Sequence, residues 1–87
     1  MHELSLIRNL IHRIETIAEA EGARRVVGVS VWLGALSHMS ESHFIEHFNT
    51  AAAGTLAEGA RLDIAVSTDT RHAHAQDLRL EAVEVEV

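Results

Sequence analysis

The sequence predicts an α/β fold of the α+β kind: order α-β-α-β-β, with two helices packed on one face of a three-stranded sheet. Two observations carry this. Apolar residues recur at helical spacing in two segments and at alternate positions in three others. Glycines or polar clusters separate the segments, as turns require. The 87 residues leave room for one core and no second.

Residues 3–21 form the first helix. Leu4, Ile7, Leu10, Ile11, Ile14, Ile17 and Ala18 make one apolar stripe, with Arg8, Asn9, Arg13, Glu15, Thr16 and Glu19 largely opposite. Gly22 is the expected stop, since glycine takes the left-handed conformation that ends helices. RVVGVSVWL at 25–33 then switches to a period of two. Val27, Val29, Val31 and Leu33 face one way, and Val26, Gly28, Ser30 and Trp32 the other. The mixed second set predicts a sheet covered on one side only.

Ser40 is placed to cap a second helix over about 41–53, with Glu41 favourable to its dipole. Phe44, Ile45, Phe48 and Ala52 are its inner stripe. GTLAEG at 54–59 is a glycine-bounded loop before a short strand, RLDIAV, with Leu62, Ile64 and Val66 inward. STDTRHAHAQD has no apolar period and predicts an exposed connection. The last strand, LRLEAVEVEV, slips phase: Leu78 and Leu80 share one parity, Val83, Val85 and Val87 the other. A one-residue bulge near Glu81–Ala82 would return all five to one face.

Composition excludes several classes of function. With no cysteine, disulfides, thiolate zinc sites and thiol nucleophiles are out. A net charge of −6 with seven Lys and Arg offers no footprint for nucleic acid or an anionic membrane. No apolar run reaches the roughly 20 residues of a membrane span, and Glu3 breaks the layout of a signal peptide, so a cytoplasmic location is expected. There is no Ser-His-Asp order, no glycine-rich phosphate loop before a helix and no tyrosine or cysteine nucleophile. An enzyme is not expected. A chain this short hides only about 60–65% of its unfolded surface, so a metal, a partner or a homo-oligomer would help its stability.

The first residues offer chemistry of their own. A structural helix start would present Ser, Thr, Asp or Asn, yet this chain opens Met1-His2-Glu3. The Met1 amine, the His2 amide nitrogen and the His2 imidazole lie along one short path, so binding all three closes two fused chelate rings. Amine and imidazole have reference pKa values near 7.7–8.0 and 6.5, and both are freed for coordination close to neutrality. Planar nitrogen ligation suits Ni(II) or Cu(II) and not tetrahedral Zn(II). Glu3 would supply an oxygen or orient the ring. By spacing alone the opposing interpretation, solvated terminal residues, is favoured.

MHELSL at 1–6, LGALSHMS at 33–40 and GTLAEGARLDI at 54–64, in that order, resemble the HypA/HybF family of hydrogenase and urease nickel-incorporation proteins. The resemblance runs from residue 1 to about 66 and resumes at LRLEAVEVEV. It implies a nickel metallochaperone that holds Ni(II) at its amino terminus, and this role falls on Met1, His2 and Glu3. It also implies two partners, a HypB-type GTPase and the precursor of a [NiFe] hydrogenase large subunit. The competing class is a metal-independent interaction or assembly module that retains the fold. Family members insert a zinc-binding domain with two CxxC pairs between the second and last strands. Here the connection 67–77 stands in its place, so residues 1–87 are expected to be a single nickel-binding domain without zinc. Trp32 replaces an expected glutamate, and is either half-covered packing on the outer sheet face or an anchor for a partner.

Other histidines carry weaker signals. His43 and His47 share a helical face at i, i+4, but only His38 or Glu46 could add a third ligand, so they are taken as solvated. His72 and His74 form a loose pair in the connection, where a solvated loop is preferred over a weak capture site. His12, at the edge of the first stripe, is expected to be structural.

Overall fold

The computed structural model describes residues 3–87, and for Glu3 the backbone alone. Five elements follow in the expected order: α1 (Glu3–Ala20), β1 (Arg25–Leu33), α2 (Glu41–Ala52), β2 (Arg61–Val66) and β3 (Leu78–Glu86). β1 is central. It pairs parallel with β2 and antiparallel with β3, giving the order β2-β1-β3. The parallel pair is joined through α2, as a crossover requires.

Both helices lie over one face of the sheet, and the core sits between them. Ile7, Leu10, Ile11, Ile14 and Ala18 of α1 meet Val26, Val29, Val31 and Leu33 of β1 and Phe44, Phe48 and Ala52 of α2. The stripe of α1 is narrower than its sequence implies: Leu4 and Ile17 are exposed. They flank the buried arc instead of lying in it. Ile45 is half-buried. Gly22 ends α1 at φ 67°, where a side chain would be strained. Ser40 caps α2 from an extended conformation, its hydroxyl accepting from the His43 N–H at 3.2 Å.

Two bulges set which side chains face the helices. Opposite β1, Ala82 and Leu80 of β3 pair with the consecutive residues Ser30 and Val31, leaving Glu81 as the extra residue. This is the bulge expected from the phase slip, and it sets Leu78, Leu80, Val83 and Val85 against the core. Val87 lies past the strand and is 77% exposed. The second bulge corrects an expectation. Val26 pairs with Val85 and Gly28 with Glu84, so Val27 is extra, and Val26 joins the buried row while Val27 is half-buried. Period two alone puts Val26 on the other face; one added residue reverses that.

β2 also departs at its end. Leu62 and Ile64 pack against the core, but Val66 is 51% exposed, since the strand runs past the cover of α2.

Candidate metal centre

The outer face of the sheet is polar. Arg61, Gly28 and Glu84 stand in one row across the three strands. With no side chain at Gly28, the Arg61 guanidinium crosses the middle strand to pair with Glu84, and it also bonds Asp63 at 3.1 Å. The hydrogen bond to Glu84, then that to Asp63, holds the Arg61 guanidinium above its ordinary pKa. Arg25 pairs with Glu86 on the same face. These ions are solvated and contribute little to stability.

Farther along that face the connection 67–77 docks onto the end of β1. Gly34 N–H donates to Asp77 O at 2.9 Å and Leu36 N–H to Ala75 O at 2.7 Å, and Ala75 is buried. A Cβ on Gly34 would stand 2.2 Å from Ala75 O, so only glycine admits this approach. The stretch expected to be merely exposed is therefore anchored, although most of its side chains are in solvent.

Docking brings His72 onto Trp32, with ring centroids 4.9 Å apart and planes at 47°. Trp32 is thus half-covered on the outer face, by a residue that sequence periodicity could not pair with it. His72 Nδ1 accepts from the His74 N–H at 2.9 Å, and His74 Nδ1 bonds Asp77 at 2.8 Å. The two imidazoles are 5.8 Å apart. His43 and His47 stack loosely at 6.1 Å on α2. His38 is exposed at φ 61°, and His12 is exposed too, not structural as expected. Among the described residues no three His, Cys, Asp or Glu come together in a way that could hold a metal ion. The predicted ligands Met1 and His2 lie outside the described residues, as does the side chain of Glu3. α1 starts at Glu3, and Leu6, one turn on, shares a groove with residues 76–80. The start of α1 therefore lies at the end of the sheet that carries the connection.

Comparison with known proteins agrees with this architecture. The family model described as hydrogenase/urease nickel incorporation, metallochaperone, hypA matches residues 1–72. The hydrogenase maturation factor HybF of Salmonella typhimurium is 44% identical over 64 residues, 74% of this chain and 57% of that protein. The hydrogenase maturation factor HypA of Chlorobium limicola is 39% identical over 64 residues, covering 74% of this chain and 55% of that one. The chain thus spans little more than half the length of these curated relatives. In fold, it superimposes on the solution structure of the Ni metallochaperone HypA from Helicobacter pylori with a TM-score of 0.81 at 23% identity, covering 99% of this chain and 98% of that one. With a family match that reaches from residue 1 through the second strand and relatives well above 30% identity, the chain belongs to the HypA family of hydrogenase/urease nickel-incorporation metallochaperones.

Proposed function

We propose that this chain binds one Ni(II) through Met1, His2 and Glu3 and delivers it during maturation of a [NiFe] hydrogenase or another nickel enzyme. The observation that carries the proposal is the reach of the family match back to residue 1, which takes in a chelating sequence unlike an ordinary helix start. Nickel is cargo here. The Met1 amine and the His2 amide and imidazole nitrogens hold it in a plane, and Glu3 adds an oxygen or orients the ring. A carrier needs ligands that bind near neutrality yet give the ion up, and amine and imidazole nitrogens suit that task.

The delivery partners in this proposal are a HypB-type GTPase and the hydrogenase large-subunit precursor, met in the cytoplasm. No helix among the described residues is long and apolar enough to cross a membrane. No catalytic step is assigned to the protein. Residues 1–87, without cysteine, act as a nickel-binding domain that holds no zinc.

The alternative function is a metal-independent interaction or assembly module that retains the fold. Titration calorimetry with Ni(II) separates the two. Protein beginning at Met1 should bind one ion, and both His2→Ala and one residue added ahead of Met1 should abolish the tight site. Unchanged binding in both variants would overturn the terminal site; no binding in the native protein would favour the assembly module.

A further inference from the structure

Between the first half of α1 and the start of β3 lies an open groove of about 360 Å³, lined by Leu6 and Arg13 from the helix and by residues 76–80. β3 is an edge strand, and its hydrogen-bonding phase is fixed at this end. Gly34 N–H donates to Asp77 O, and Leu33 O accepts from Ser67 N–H on the β2 side. Gly34 and Asp77 therefore hold a hydrogen-bonded position of the ladder, through this one bond, while Asp77 N–H donates to His74 O. Alternation then turns the N–H and C=O of Leu78 and Leu80 outward, away from β1.

The flank of α1 beside the groove carries apolar surface that the core does not use, with Arg13 and Leu6 lining the groove itself. Leu6, Arg13 and Ile17 recur at i, i+7 and i+11 on one flank of α1, and Leu6 and Ile17 are 42% and 40% exposed. The side chains of Leu78 and Leu80 are only half-buried beside it. Arg13 and Arg79 line the groove, and neither has an ion pair among the described residues. Among the described residues the one carboxylate in the lining, Asp77, is bonded to His74. In a chain of net charge −6, this is a local cationic surface.

We propose that the groove takes an extended segment of a partner protein, added as a fourth strand on β3 at Leu78–Leu80. Backbone groups of Leu78 and Leu80 give the segment its register, an apolar side chain packs against Leu6 and Leu80, and carboxylate side chains of opposite parity meet Arg13 on the helix side and Arg79 on the outer side. A second copy of β3 fits less well. The free edge is interrupted at the Glu81 bulge, continues with Glu84 and Glu86, and would be brought together by two molecules of like net charge. The proposal does not depend on nickel.

The test uses the metal-free full chain to select from a displayed library of random heptapeptides, followed by fluorescence anisotropy on the best binder. The selected peptides should alternate apolar residues and include acidic ones. Arg13→Glu and Leu6→Asp, both at exposed positions, should each weaken binding about tenfold or more. Amide exchange at Leu78 and Leu80 should slow on binding. Failure to select any peptide, or binding indifferent to both substitutions, would overturn the proposal. So would a dimer, seen by sedimentation of the protein alone, that the two substitutions dissolve, because the edge would then belong to a second copy.

Discussion

Two glycines of β1 and its exit show how one methyl group is judged by what it meets. A Cβ on Gly28 would stand 2.5 Å from Arg61 Nη2, the far end of a flexible side chain, whereas on Gly34 it would stand 2.2 Å from the backbone oxygen of Ala75. Gly28→Ala should therefore cost under about 1 kcal/mol, because the solvated guanidinium swings aside. Gly34→Ala should cost about 2 kcal/mol or more, because backbone must move. Urea denaturation measures both. Trp32, the one tryptophan in the chain, adds a local readout: Gly34→Ala should change its emission by lifting His72 from the ring, and Gly28→Ala should not. Neither distinction was legible in the sequence, where both glycines sit beside valines and leucines and the partners lie 33 to 41 positions away. The candidate ligands Met1 and His2 were legible there, since chelation by a terminus depends on adjacent residues only.

At the scale of elements, the sequence was informative wherever local pattern and tertiary cover coincide. The second helix begins where Ser40 says it should, and Ser40→Ala should cost about 1 kcal/mol by leaving the His43 N–H without its cap. A chemical denaturation midpoint shift would measure it, and no shift would contradict the cap. The bulge at Glu81 was readable because leucine and valine change parity across it with glutamates between. The bulge at Val27 was not, because Val26 and Val27 are both valine and either suits the core. The exposure of Val66 and Ile17 depends on how far each helix reaches over the sheet, which no local pattern encodes. The connection 67–77 read as open because it lacks apolar period. It is held instead through the backbone groups of Ala75 and Asp77, which every sequence carries alike.

For the whole molecule, the core between two helices and one sheet face is built of apolar side chains, and among the described residues no three His, Cys, Asp or Glu are grouped to hold a metal ion. A strong chelator added to the metal-loaded protein should leave the far-ultraviolet circular dichroism unchanged, unlike a domain folded around structural zinc. A collapse of that signal would mean that metal holds the fold. The central claim, nickel held by terminal nitrogens, makes a demand on pH. Amine and imidazole bind metal only when deprotonated, so protons compete as pH falls through their reference values near 7.7–8.0 and 6.5, and a carboxylate-only site would retain metal to about pH 4–5. Planar ligation through the His2 amide further makes the ion low-spin, diamagnetic and yellow, where an oxygen-rich octahedral site is paramagnetic and nearly colourless. The direct measurement is the visible absorbance of nickel-loaded protein beginning at Met1, followed with bound nickel from just above neutrality downward. The account predicts a yellow complex that bleaches and releases its nickel on mild acidification; nickel still bound at about pH 4.5, below both nitrogen values, would contradict it.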